Sequence, residues 1–390
     1  MGFSWSSYVA QCSMLSVCAK AGLSPDHVLA DDTPTPKRLG SVFALATDDI
    51  MHFTRGTKTA AVQKATKLDK AFLAQGIRKH PAKDVTGEHE GTCIGIDLEE
   101  GMYWAPHKPK LRTLLVGLRQ VVDDPVLSPL GMSALLGNVQ WFNLLNRSLF
   151  SALDSVYTFA REPSPKTARR IPDTARAELL LVLCLAPFWE ADLSRPWLPL
   201  ITATDAAPEY GFGVCVSGCS VDEARRLGRL ATKHGDYVRL DRDGDAEDEE
   251  ERPRVGTPRK LGLTKSSFTT IVSAKALHQA HSGALEATAV VLLLRWLLRS
   301  QNKHAHRVVA LVDAQAVLGA AAKGRTSAAT LKREIRKIAA LTLAGDFLMR
   351  YVYVPSEDDP ADAPSRGVRR RVRKGGLKSA RSAGFSAGRR

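Results

Sequence analysis

P-L-I-T-A-T-D-A-A-P-E-Y-G-F-G-V-C-V-S-G (residues 199–218) places one carboxylate, Asp205, at the end of an apolar run. A glycine-containing turn and a second apolar run follow it. The pattern predicts a strand, an exposed aspartate, a tight turn and a second strand. Three more acids lie in comparably informative places. Glu286 falls in G-A-L-E-A-T-A-V-V-L-L-L-R-W-L-L (283–298), a helix pattern that is apolar almost all round, and shares a face with Val290, Leu293 and Leu297. An ionised carboxylate there costs on the order of several kcal/mol unless something positive neutralises it. The plain alternative is a first-turn acid, exposed and favoured by the helix dipole. Asp313 ends the apolar strand pattern R-V-V-A-L-V (307–312), at the strand end where α/β folds place functional groups. Its plain alternative is a helix N-cap. Asp362 sits in the proline-bounded turn P-S-E-D-D-P-A-D-A-P-S-R-G (355–367).

At 390 residues, 44% hydrophobic and 25% charged, the chain is long enough for two or three globular domains. Net charge is +14; residues 366–390 hold ten Lys/Arg and no acid, which leaves +4 for the rest. A basic tail of that kind, read as disordered, suggests a polyanion and first of all nucleic acid; a solvated end without a partner is the alternative. The six cysteines are scattered with no C-x-x-C pair, so neither a zinc site nor a disulfide framework is signalled. They read as reduced thiols of an intracellular protein, cytoplasmic or nuclear. The most apolar run, 287–298, is too short to span a membrane and contains Arg295.

Upstream, S-V-F-A-L-A-T-D-D-I-M-H-F (41–53) predicts a hairpin with Asp48 and Asp49 at its tip, where adjacent acids are commonly just solvated turn residues. Residues 108–161 read as helical, through Leu111, Leu114, Leu115 and Leu118. After a break at 125–129, a second amphipathic stretch runs over 135–157. A proline-rich basic linker covers 162–172, and a helix covers 174–188. Strands are expected at 211–216, 268–272 and 347–354, and a helix at 330–343. The run 239–254 is densely charged but lacks EF-hand spacing, so it reads as a solvated surface insertion.

Several of these pieces resemble retroelement enzymes. G-F-S-W-S-S-Y-V-A-Q (2–11) resembles the Gly-x-x-x-Ser motif of reverse transcriptases through Gly2 and Ser6. A-T-D-D (46–49) resembles the palm's paired-aspartate motif, with Ala46 in place of the usual tyrosine. G-T-C-I-G-I-D-L-E-E-G-M-Y-W-A-P-H-K-P-K (91–110) resembles the strands after the palm hairpin, and L-L-G-N-V-Q-W-F-N-L-L-N-R (135–147) resembles thumb helices. V-D-A-Q-A-V-L-G-A-A-A-K-G-R-T (312–326) and Y-V-P-S-E-D-D-P-A-D-A-P-S-R-G (353–367) resemble the ribonuclease H domains of retrotransposons, particularly those encoding tyrosine recombinases. Asp359 stands where those relatives usually carry Asn.

The resemblance implies a multi-domain α/β and α+β chain. It would comprise a partial palm (1–105), thumb-like helices (106–161), a linker and connecting helix (162–198), a ribonuclease H-like mixed sheet with flanking helices (199–367) and a basic tail (368–390). It implies that Asp205, Glu286, Asp313 and Asp362 hold two Mg2+ ions, with Mn2+ as a possible substitute, and cut the RNA strand of an RNA–DNA hybrid. Asp48 and Asp49 would be a polymerase remnant. The family's further palm aspartate precedes the Gly-x-x-x-Ser motif, so polymerisation would need a separate palm and fingers polypeptide. Gly2, Ser6, Arg366, Arg369, Arg370 and Arg371 would contact RNA or DNA. The alternatives are a catalytically inactive nucleic-acid-binding remnant and, less well matched, an integrase-like strand transferase. Oligomeric state is not signalled.

Overall fold

The computed structural model of the chain describes residues 5–30, 36, 40–47, 49–80, 84–230, 235–241 and 256–368. Gly2, Asp48, Arg369, Arg370 and Arg371 lie outside the described residues. The chain divides into two compact units, Met1–Gly117 with Trp189–Ser194, and Leu118–Phe188 with Arg195–Arg390.

In the first unit α1 (Ser6–Lys20) precedes a hairpin of β1 (Ser41–Ala46) and β2 (Asp49–Thr54), in antiparallel register with Ala46 opposite Asp49. Only residues 47 and 48 connect the strands, and Thr47 takes φ 57°, the positive φ that two-residue hairpin turns demand. The Gln11 amide of α1 holds this tip: its Nε2 donates to Leu45 O at 3.3 Å and its Oε1 accepts from Thr47 N at 2.9 Å. Helix α2 (Lys58–Ala74) packs Phe72 against Met14 and Val17. A meander of β3 (Gly91–Cys93), β4 (Ile96–Glu99) and β5 (Tyr103–Pro106) follows, and α3 (Lys108–Asp123) runs on past residue 117.

The second unit continues with β6 (Val126–Leu127), α4 (Pro129–Asn143), α5 (Ser155–Ala160), β7 (Arg169–Arg170) and α6 (Asp173–Leu185). Pro129 occupies the first turn of α4, where a missing N–H costs nothing, and Ser128 caps Gly131 N. The expected amphipathic stretch over 135–157 is not one helix. Asn143 ends α4, Asn146 turns extended, and a 3-10 turn, Arg147–Ala152, leads to the six-residue α5. The reason is long-range: Glu178 of α6 accepts from the backbone N–H groups of Asp154, Ser155 and Val156. A carboxylate on those otherwise unpaired donors pins a new helix start there. β8 (Ala191–Asp192) belongs to the first unit and pairs with β5.

The rest is a mixed α/β layer structure. Its elements are β9 (Trp197–Ala207), β10 (Gly211–Gly218), α7 (Val221–Leu227), β11 (Tyr237–Asp241), β12 (Pro258–Thr264), β13 (Thr269–Lys275), α8 (Ser282–Leu298), β14 (Arg307–Val312), α9 (Gln315–Lys323), α10 (Ala329–Ala344), β15 (Leu348–Tyr353) and α11 (Asp362–Ser365). Five strands form one sheet in the order β13-β10-β9-β14-β15. The β13–β10–β9 half is antiparallel and the β9–β14–β15 half parallel. β11 and β12 form a separate parallel pair.

Strand alternation explains why β14 reads as continuously apolar. Val308, Ala310 and Val312 face a core shared with Leu293 and Leu297 of α8 and Ile335 of α10. Val309 and Leu311 face the opposite core, with Leu227 of α7, Val238 of β11 and Leu261 of β12. A strand covered on both faces needs apolar residues at every position.

Two local expectations are corrected. Asp205 is not exposed: it is 5% exposed and lies within β9, which continues to Ala207 because Ala206 and Ala207 pair with Phe212 and Gly211. The charge run at 239–254 is not wholly solvated either. Arg239, Leu240 and Asp241 belong to β11, and Arg239 is buried.

Candidate metal centre

Strand register brings the first two acids together. Val312 of β14 pairs with Thr204 of β9, so Asp313 emerges beside Asp205. Glu286 projects from the second turn of α8, which packs on β9 and β10. The carboxylate oxygens of Asp205, Glu286 and Asp313 lie within 4.8 Å of one another, and among the described residues no other such group of His, Cys, Asp or Glu occurs.

The segment after β15 braces this cluster. Ser356 Oγ donates to Asp313 Oδ2 at 2.5 Å, and Ser365 Oγ donates to Asp205 Oδ2 at 2.5 Å. The second contact requires close approach to the sheet. Gly213 pairs with Asp205 across β9 and β10, and a Cβ there would lie 2.3 Å from Ala361 O and 2.7 Å from Ser365 N. Only glycine leaves room for the α11 segment.

Electrostatics mark the cluster as short of positive charge. Burial pushes Asp205 up to about 6, with the Asp313 and Asp362 charges adding and the Ser365 hydrogen bond opposing. Glu286 is pushed up to about 9 by burial and then by Asp205 and Asp313. Burial raises Asp313 as well, against the Ser356 hydrogen bond. Asp359 is 1% exposed, and burial followed by the Asp205 charge raises it well above the carboxylate range. Its Oδ1 accepts from Ala361 N at 2.7 Å.

Asp362 stands slightly apart. It is not in the 4.8 Å group, yet its charge raises both Asp205 and Asp313. Arg366 holds it, with Nε and Nη2 each 3.0 Å from Oδ1. Of the other expected residues, Ser6 begins α1 and is exposed, and Asp49 begins β2 and is exposed. The sequence pattern assigns no role to Ser356, Ser365, Gly213 or Arg239.

Whether these residues fit a metal can be tested on two observations. Asp313 Oδ1 is buried without a hydrogen-bond partner. The donor set is all oxygen, from three carboxylates whose ionised forms are disfavoured by one another and by burial. Both features suit a hard divalent cation such as Mg2+ or Mn2+, and neither suits a soft one.

No protein-family model and no curated protein matches the chain. Among solved structures it is similar to a foamy viral protease-reverse transcriptase in complex with double-stranded DNA, at 10% identity and TM-score 0.37, covering 89% of this chain and 48% of that one. It is also similar to a foamy viral protease-reverse transcriptase in complex with RNA/DNA hybrid, at 11% identity and TM-score 0.31, covering 84% of this chain and 58% of that one. The chain thus spans about half the length of these proteins, and likeness at this level carries no argument about its chemistry.

Proposed function

We propose that the chain is a divalent-metal-dependent nuclease of the ribonuclease H type, which hydrolyses the RNA strand of RNA–DNA hybrids, within a reverse transcriptase segment of a tyrosine-recombinase-encoding retrotransposon. The observation that carries this reading is the convergence of Asp205, Glu286 and Asp313 from β9, α8 and the end of β14. The motif Y-V-P-S-E-D-D-P-A-D-A-P-S-R-G supports the retrotransposon assignment. In this reading 1–105 is a partial palm, 106–161 a thumb, 162–198 a linker and 199–367 the nuclease domain.

Asp205, Glu286 and Asp313 would hold the cation, with Asp362 beside them as the fourth expected carboxylate. The chemistry Mg2+ supplies there when bound is a lowered pKa for the attacking water and charge stabilisation at the leaving 3′ oxygen. The protein's own contribution is orientation. Ser365 and Ser356 each engage one oxygen of Asp205 and Asp313 and so fix the orientation of both carboxylates. Burial beside Asp205 and Asp313 pushes Glu286 up to about 9, so a cation held there would favour its ionised, ligating form. The hybrid is recognised by backbone shape and the 2′-OH. The exposed Arg366 and the basic tail supply phosphate contacts.

A labelled RNA–DNA hybrid, incubated with Mg2+ and the purified chain or its Asp205→Asn variant, tests this. The expected result is cleavage by the unaltered chain and loss of at least a hundredfold in the variant, on the order of a catalytic metal ligand's contribution. A hybrid that is bound but left intact by the unaltered chain would favour the inactive-remnant reading instead. Cleavage that survives Asp205→Asn would contradict the site.

A further inference from the structure

Arg239 sits mid-strand in β11, at the start of what reads in sequence as a solvated charge run. Its side chain is only 10% exposed, and its Nη1 donates to both Glu357 Oε1 and Asp358 Oδ2 at 3.1 Å. Those acids form the 3-10 turn Ser356–Asp358 between β15 and α11. The same turn carries Ser356, whose hydroxyl holds Asp313, and leads directly into buried Asp359 and then Asp362. Glu357, Asp358 and Asp359 are three successive acids beside a carboxylate cluster, and their mutual repulsion opposes that placement. A single three-residue 3-10 turn is too short to hold itself there by its own hydrogen bonds. A buried guanidinium that bridges two of the acids supplies both the counter-charge and the fixed geometry.

We propose that Arg239 is a positioning residue for the metal centre. By clamping Glu357 and Asp358 it fixes the turn that orients Asp313, so the β11–β12 pair is part of the site's support. The inference rests on the metal-centre reading of Asp205, Glu286 and Asp313. Arg239 touches none of the reacting groups and acts through the turn.

The test uses the full chain, calorimetric titration with Mn2+ alone and amide hydrogen exchange. Arg239→Met, which keeps the apolar stem, is expected to weaken Mn2+ binding about tenfold, the loss typical of an outer-sphere support. It should also speed exchange at residues 356–358 while leaving β14 protected. Arg239→Lys, which keeps the charge but not the planar guanidinium, is expected to fall between. Should Arg239→Met fail to fold because it leaves Glu357 and Asp358 without their counter-charge, the triple variant Arg239→Met with Glu357→Gln and Asp358→Asn removes those charges and is expected to show the same weakened binding. Unaltered Mn2+ affinity in a folded variant, even with a lowered melting temperature, overturns the inference and leaves Arg239 a packing residue. An unaltered chain that takes up no Mn2+ overturns the metal-centre reading itself, and is distinguishable from that outcome.

Discussion

At the residue scale the site is a set of carboxylates held where ionisation is unfavourable. Asp205 and Glu286 have folded-state values of about 6 and about 9, both above their unfolded values. Their contribution to stability is therefore complete below about pH 4 and is lost as pH rises, first through Asp205 and then through Glu286. The melting temperature of metal-free protein should fall between pH 5 and pH 9 from these groups. Added Mg2+ should restore more of it at pH 9 than at pH 5, and calorimetric scans at both pH values check this. Asp205→Asn removes one buried carboxylate, so the variant is expected to melt higher than the parent without metal at pH 8 and to gain less from Mg2+. Gly213→Ala drives a methyl into Ala361 O and should cost about 1–3 kcal/mol in urea unfolding. Asp205, Glu286 and Asp313 stand out in sequence because each ends or interrupts an apolar pattern, whereas their grouping, and Asp362 with them, is implied only by the ribonuclease H resemblance. The serines do not stand out, since a Ser in a turn carries no periodic signal and its partner lies 43 or 160 residues away.

At the element scale, periodicity predicted what burial on one or both faces dictates. β14 and α8 read correctly because nearly every position is apolar, and Leu293→Ala, at a fully buried site, should cost about 2–5 kcal/mol in chemical denaturation. Elements fixed by distant polar contacts escaped. Helix α5 starts where Glu178 caps it, and Glu178→Ala should destabilise the chain by about 1–3 kcal/mol through the three N–H groups left without their charged acceptor. β11 is hidden in the charge run because Arg239 is paired with acids more than a hundred residues later.

At the scale of the whole molecule, the excess positive charge is concentrated in 366–390, while the acids of the cluster are gathered in the second unit. Deletion of 369–390 should lower affinity for an RNA–DNA hybrid and flatten its salt dependence, measured by filter binding across a salt series, because fewer counterions are released. Unchanged binding would make the tail a bystander. The central claim is that β9, α8 and β14 build a metal centre. Crystals of the full chain soaked in Mn2+ test it most directly, through the anomalous scattering of manganese. The expected map shows a peak bonded to oxygens of Asp205, Glu286 and Asp313 that is absent from Asp205→Asn crystals. A map with no peak among those carboxylates at saturating Mn2+ would contradict it.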